Sequence, residues 1–360
     1  MASPVGVALL SFGLSGQVFH APFLQRSAGF RLLGAWERST ARIAAAYPGT
    51  RRYATLGELL ADPAVELVIV NTPIPTHFAY ARQALLAGKH VVVEKAFTTT
   101  VTEAEELAAL ARDRDRVLTV FQNRRWDSDF RAVQQVLASG ELGPLVEAEL
   151  RFDRFRPALG TKAAVETPGP GAGTLYDLGP HLIDQALTLF GWPQTVHAAL
   201  RAVRAGSRVV DWVDICLTYS ATETAAPDLR VQLRISPLAP PKVPAYQLFG
   251  QRGTFLKHRA DPQEAALRAN PGAPLGADWG TEPAAAAGQL YCTDPATGTA
   301  LPPQSVPSPR GDYGMFYEAL PRALTTSAPS PLAPAPDGIR VMRVLAAAEA
   351  SHAAGQPVTP

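Results

Sequence analysis

Val5-Gly-Val-Ala-Leu-Leu10-Ser11-Phe12-Gly13-Leu14-Ser15-Gly16 is the stretch on which the fold turns. It opens with a short apolar run and passes at once into a glycine-bearing turn. Near-continuous apolar strands suit a parallel sheet covered on both faces. A dinucleotide fingerprint wants glycine at the turn, at the phosphate approach and at the helix–strand contact. Gly13 and Gly16 fill the second and third places, and Ser11 stands at the first. A helix starting here would aim its amide hydrogens at an anion. Phe12, Gly13, Leu14, Ser15 and Gly16 are therefore candidate cofactor-binding residues. An ordinary tight strand–helix turn is the competing reading.

The next hundred residues repeat the pattern. Phe30–Trp36, 66–71, His90–Glu94 and 117–122 are strand-like and rich in Val, Leu and Ile. Between them, Thr55 with Glu58 and Thr102 with Glu105 have the spacing of capping boxes that open helices. Strand–helix alternation predicts an α/β fold, a doubly wound Rossmann domain over residues 1–122.

Beyond residue 122 the texture changes. A helix is expected over 127–139, ending near Gly140. Longer strands are expected at 145–155, 195–203, 209–219, 229–235, Tyr246–Gly250 and Gly253–Lys257, with one helix over 177–190. That predicts a second domain, 123–360, of α+β class with a large, mainly antiparallel open sheet. Residues 156–172 read as a loop over a site, and 259–311, rich in Pro, Ala and Gly, as a long, mostly irregular excursion with some local structure. Two closing helices, 311–323 and 338–354, follow and can pack back on the first domain.

Composition excludes several classes. The 360 residues carry 33 Lys plus Arg against 32 Asp plus Glu, so a net charge of +1 gives no reason to expect nucleic acid or an anionic membrane. Cys216 and Cys292 lie far apart and read as free thiols of a reducing compartment. No apolar run is long enough to span a bilayer, the start lacks a basic region typical of a signal peptide, and the cytoplasm is the expected location. No metal-ligand cluster is expected.

Three further sets of residues carry chemistry. After the second strand come Glu37, Arg38 and Ser39. An acid here usually accepts the ribose hydroxyls of NAD, whereas Arg with Ser suits the extra phosphate of NADP. Both signals are present; Arg38-Ser39 tips the expectation to NADP, with NAD as the alternative. Asn71-Thr72-Pro73 and Glu94-Lys95 end two strands, where ligands sit in open α/β sheets. Lys95 could lower the pKa of a substrate hydroxyl or stabilise a developing alkoxide. In Gly173-Thr-Leu-Tyr-Asp177-Leu-Gly-Pro-His181, a helix would set Asp177 at its start and His181 one turn in, with Pro180 tolerated in the first turn. A carboxylate beside an imidazole can tune a general base, although a helix cap and a core histidine explain the pair equally well. Asp184 reads as supporting or as polar surface.

Ser11-Phe-Gly-Leu-Ser-Gly16, Asn71-Thr-Pro73 with His77, Gly88-Lys-His-Val-Val-Val-Glu94-Lys95 and Gly173–His181 together resemble the Gfo/Idh/MocA oxidoreductase family. The resemblance runs in order from residue 5 to about 257. Asn123-Arg124-Arg-Trp126-Asp and Phe152-Asp-Arg154-Phe-Arg-Pro157 are similar to the branch that contains NADP-dependent scyllo-inositol dehydrogenases. The resemblance implies a Rossmann domain and a mixed-sheet domain with substrate and nicotinamide between them. It carries the family's catalytic lysine, aspartate and histidine onto Lys95, Asp177 and His181. His77, Glu94 and Trp126 join the expected cofactor residues, and Arg124, Arg154 and Tyr313 the expected substrate residues. Ser11 and Ala96 depart from the family pattern, which has glycine at the first and proline at the second.

The implied reaction moves hydride between the nicotinamide and a secondary hydroxyl of a sugar or inositol-like polyol. His181 would act as base, Asp177 would orient it, and Lys95 would hold the oxyanion. Relatives also include aldose–aldose, dihydrodiol and bilin reductases and NAD-dependent glycosidases. A silent NAD(P)-binding sensor is the non-enzymatic rival. A homodimer or homotetramer is implied by the resemblance.

Overall fold

The computed structural model describes residues 3–160, 163–221, 225–240, 242–271, 275–294, 296–325 and 331–360. Thr161 and Lys162, in the expected loop at 156–172, lie outside the described residues. The chain divides into two units.

The first unit comprises residues 1–123, 263–276 and 313–342. Its strands are β1 (Val5–Leu9), β2 (Phe30–Trp36), β3 (Arg51–Tyr53), β4 (Leu67–Val70), β5 (His90–Glu94) and β6 (Leu118–Phe121). They lie in the order β3-β2-β1-β4-β5-β6, all parallel, and Ala333–Pro334 pairs antiparallel with the outer edge of β6. This is the doubly wound order of dinucleotide-binding domains, which reverses between β1 and β4 and opens a crevice beyond their carboxyl ends. β4 and β6 are buried along their whole length, as is the Val91-Val92-Val93 centre of β5. Covering both faces of such strands is what makes the apolar runs continuous. β3 escaped the sequence reading because two of its three residues are exposed arginines and only Tyr53 turns inward.

The helices between the strands are α1 (Ala21–Arg26), α2 (Arg42–Ala46), α3 (Leu56–Ala61), α4 (His77–Leu86) and α5 (Val101–Asp113). A π-helical turn, Gly16–His20, leads into α1. Thr55 caps α3 as the spacing predicts, accepting from the Glu58 amide at 3.1 Å. The cap of α5 is displaced from the expected position. Thr100, not Thr102, has the extended backbone a cap needs, and Thr100 and Glu103 exchange the reciprocal bonds. A Thr-x-x-Glu spacing occurs twice within six residues, and backbone conformation chooses between them.

The second unit comprises residues 124–262, 277–312 and 343–360. It holds α6 (Ser128–Ser139), β7 (Leu145–Arg151), α7 (Ala163–Glu166), α8 (Gly173–Asp177), α9 (Gly179–Phe190), β8 (Thr195–Arg201), β9 (Trp212–Tyr219), β10 (Ala225–Ile235), β11 (Tyr246–Gly250), β12 (Gly253–Lys257), β13 (Gly288–Cys292) and β14 (Gln304–Val306). The sheet order is β14-β13-β12-β11-β7-β10-β9-β8. Among the described residues only the β7–β10 pair is parallel, so the sheet is mainly antiparallel. Gly140 stops α6 in the left-handed region at φ 69°, a conformation cheap only for glycine.

Two expectations change here. The expected helix 177–190 is two helices broken at Leu178. Asp177 therefore closes α8, whereas His181 lies in the first turn of α9 just after Pro180. Pro180 cannot donate a backbone hydrogen bond, which suits the start of a new helix and not the continuation of an old one. The excursion 259–311 is more regular than its composition implies. It supplies helix Gln263–Ala269 to the first unit and β13 and β14 to the second. Lys257, fully buried, binds Glu282 and the Ala286 carbonyl and fastens this segment to β12. The closing helices run Gly314–Thr325 and Ala335–Ala354. No described helix is long and apolar enough to cross a membrane.

Candidate active site

In the first unit the glycine turn sits at the carboxyl end of β1, beside that of β4. A Cβ on Gly16 would lie 2.5 Å from the Ser11 carbonyl oxygen and 3.1 Å from the Asn71 amide nitrogen, so only glycine lets the helix approach the strand. Asn71 donates to that same Ser11 carbonyl at 2.8 Å. Its Oδ1 is buried without a hydrogen-bond partner among the described residues. Ser11 serves in place of the first glycine. It does not adopt positive φ, and its hydroxyl accepts from the Gly13 amide at 3.1 Å. The close glycine contact fits a dinucleotide pyrophosphate over the helix start, and the unmet Asn71 oxygen, an acceptor, fits a coenzyme donor such as a hydroxyl or amide N–H. Phe12 is buried edge-on against Tyr47, while Leu14 is exposed.

At the end of β2 the Glu37 carboxylate is spent on the protein. It accepts from Thr40 Oγ1 at 2.8 Å, from the Arg42 amide and guanidinium at 3.3 Å each, and from the Ile43 amide at 3.0 Å. It is 5% exposed and caps α2 from outside. Arg38 and Ser39 remain exposed. Arg52 of β3 reaches the carbonyls of Glu37 and Arg38, each at 2.7 Å, and half of Arg42 is open to solvent. Arg42 and Arg52 were not singled out in the sequence. Arg52 acts here through β3, an element the sequence concealed.

The ends of β4 and β5 are tied together. His77 opens α4, is 1% exposed, and bridges the Thr72 and Ala96 carbonyls at 2.8 Å each. It supports the strand ends and has no surface with which to touch a ligand. Thr72 also pairs with Thr76 at 2.7 Å, and Pro73 begins the turn between them. Glu94 accepts from Ser15 Oγ and, at 3.0 Å, from His20 Nε2. Burial would raise its pKa, but these bonds and the Lys95 charge hold the carboxyl below its ordinary value. The Lys95–Ala96 peptide bond is cis.

In the second unit His181 is 5% exposed, with its ring stacked on Phe152 at 6.1 Å. Three guanidinium groups surround the same Phe152 ring: Arg259 at 4.1 Å, Arg124 at 5.5 Å and Arg154 at 5.6 Å. Thus Phe152 joins His181 to Arg124 and Arg154, two of the expected substrate residues. Arg124 also contacts Asp127 at 3.3 Å. Burial pushes the Asp127 carboxyl up to about 8 against the pull of Arg124. Asp184 is neither surface nor solvated; it is buried and takes a two-point bond from Arg125 at 2.6 and 2.8 Å. Trp126 is 4% exposed in the turn Asn123–Trp126. Tyr313 belongs to the first unit, fully buried among Phe19 and Phe23, so it is part of a core. Arg259 and Arg125 were not singled out: Arg125 lies inside the stretch 123–127 beside Arg124, Arg259 stands in no motif, and only the fold shows what each meets. Among the described residues no cluster suited to a metal ion occurs.

Residues 5–122 match the family model described as "Oxidoreductase family, NAD-binding Rossmann fold", and residues 130–256 match the "GFO/IDH/MocA C-terminal domain". The chain belongs to the Gfo/Idh/MocA oxidoreductase family. Its similarity to individual members extends over nearly the whole length. The chain is 36% identical to the uncharacterized oxidoreductase YdgJ of Escherichia coli over 96% of its own length and 95% of that protein. It is 34% identical to scyllo-inositol 2-dehydrogenase (NADP(+)) IolW of Bacillus subtilis, over 96% and 92%. The solved structure of the putative oxidoreductase yvaA of Bacillus subtilis superposes with a TM-score of 0.92 at 32% identity, covering 100% of this chain and 99% of that one. Membership makes this Gfo/Idh/MocA chain an oxidoreductase with an NAD-binding fold.

Proposed function

We propose that the protein is an NADP-dependent dehydrogenase or reductase acting on a secondary hydroxyl or ketone of a sugar or cyclic polyol. One observation carries the choice of coenzyme. Glu37 cannot compete for a ribose hydroxyl without giving up its bonds to α2, and Arg38, Ser39, Arg42 and Arg52 leave that edge rich in donors. Donors of this kind suit a phosphate dianion. The NADP-dependent scyllo-inositol relative supports both halves of the reading.

When bound, the nicotinamide gives or takes the hydride at the substrate carbon. The protein's own groups handle the proton and the charge. His181 takes the hydroxyl proton during oxidation and returns it during reduction. Asp177 orients His181 or a neighbouring hydroxyl. Lys95 stabilises the oxygen as charge develops on it. Arg124 and Arg154, around Phe152, bind further substrate oxygens; the turn Gly13–Gly16 would hold the pyrophosphate, and Asn71 Oδ1 would accept from a coenzyme hydroxyl or amide N–H.

The substrate is a small molecule, and homodimers or homotetramers form through the open face of the second sheet. Glu149, Arg151, Asp153, Arg234 and Gln247 make a polar ladder there that a second copy can meet. The cytoplasm is the proposed location. A fluorescence titration comparing NADPH with NADH tests the coenzyme assignment: tighter binding of NADPH supports it, and a preference for NADH overturns it.

A further inference from the structure

The segment Glu94-Lys95-Ala96 is gripped on both sides by buried histidines, and no substrate or coenzyme role accounts for them. His20, with no exposed surface, holds the Glu94 carboxylate; His77 holds the Ala96 carbonyl. We propose that His20 and His77 are positioning residues that fix the backbone on either side of Lys95, His20 doing so by donating from Nε2 to Glu94. This rests on the reading that Lys95 serves the reaction.

Proton counting supports the arrangement. His20 Nε2 lies 3.0 Å from Glu94, whose carboxylate can only accept, so this nitrogen donates. Its Nδ1 lies 2.7 Å from the Tyr317 hydroxyl, which also reaches the Phe19 carbonyl at 2.7 Å. Both ring nitrogens therefore have partners, and the ring is held in one orientation. Here Ser15 supplies another bond to Glu94, and the Phe121 ring covers the imidazole at 4.6 Å.

The local fold produces this geometry. The wide π-helical turn Gly16–His20 directly follows the glycine turn and buries His20. Tyr317 comes from the helix Gly314–Thr325, where it stacks on Phe23 at 5.4 Å. The network therefore joins the glycine turn, through Ser15, to the residue before Lys95. His77 completes the grip from α4. Its two partners are carbonyls, which cannot donate, so a neutral ring satisfies one and a protonated ring satisfies both. Burial lowers its pKa, and the two carbonyls and Glu94 oppose that shift.

The test uses the unaltered full-length protein and three variants: His20→Leu, His77→Leu and Lys95→Met. Nitrogen-15 NMR of the native chain should show a buried imidazole whose Nε2 carries a proton, lost in His20→Leu. A His20 Nε2 without a proton overturns the proposal, and this result requires no substrate. In turnover of a polyol with NADP, each histidine variant should lose about tenfold to a hundredfold in kcat, the scale expected when a reacting group is misplaced by about 1 Å. The Kd for NADPH and the substrate KM should change little. Full kcat in both histidine variants, with kcat lost in Lys95→Met, sinks the positioning role alone. Full kcat in Lys95→Met sinks the reading of Lys95 itself. If His20→Leu or His77→Leu does not fold, His20→Gln or His77→Gln, each of which keeps a donor, should recover most of kcat; failure of that rescue in a folded protein counts against the proposal.

Discussion

Lys95 and His181 sit in regions built on different principles. Lys95 follows a strand whose Val91-Val92-Val93 core is fully buried, and its neighbours are tied by backbone and histidine bonds. His181 stands just after a break between two helices, in a setting made of side chains: Phe152, Arg124, Arg154 and Arg259. The first region is fixed by the sheet and reads out in short contiguous motifs. The second is gathered from residues more than a hundred positions apart. The first region should respond mainly to changes that move its backbone or remove the histidines that hold it, and the second to loss of the side chains gathered around His181.

The sharpest way to break this contrast is His181→Ala. Removing a general base should cut turnover at least about a hundredfold, with NADPH affinity unchanged by titration. Near-normal turnover would mean that the second region does not supply the base. Next in size is Arg38→Ala, which removes a charged donor at the coenzyme edge. Loss of one such bond should weaken NADPH by about tenfold or more and leave NADH almost untouched. Equal losses for both coenzymes would remove the phosphate from that edge.

Gly16→Ala probes the backbone character of the first region. The added carbon meets the Ser11 carbonyl at 2.5 Å, so the turn must shift. A cost of about 1–3 kcal/mol is expected from overpacking of this kind, measurable by denaturant melts alongside weakened NADPH binding. The smallest effect concerns acid. Glu94 has a lowered pKa in the folded protein, so the unfolded chain takes up its proton first as pH falls. Its contribution to stability is complete above the ordinary carboxyl value of 4.5 and is lost as pH falls through the lower folded value. Melting curves at descending pH should show this loss, and Glu94→Gln should flatten it.

What was legible in the sequence follows the same division. The alternation of apolar runs with helices defined the doubly wound sheet, because strands covered on both faces cannot hide their composition. Gly13, Gly16 and Glu94-Lys95 were readable since their positions depend on strands next to them. Position along the chain did not show what Glu37 binds; only the turn into α2 reveals that its carboxylate caps a helix. The break at Leu178 was missed because Pro180 is compatible with either a single helix or a new start. Tyr313 looked like a pocket wall and lies in a core of aromatic rings, a matter of tertiary packing that no local pattern encodes. His20 was invisible as well, since its partners Glu94 and Tyr317 come from distant segments.

The most direct measurement is an initial-rate screen of sugars and cyclic polyols, each with NADP and with NAD, following the absorbance of the reduced nicotinamide. The account predicts steady NADPH formation with at least one such substrate and a higher kcat/KM for NADP than for NAD. Tight NADPH binding with no turnover of any sugar or polyol, or a clear preference for NAD, would contradict it.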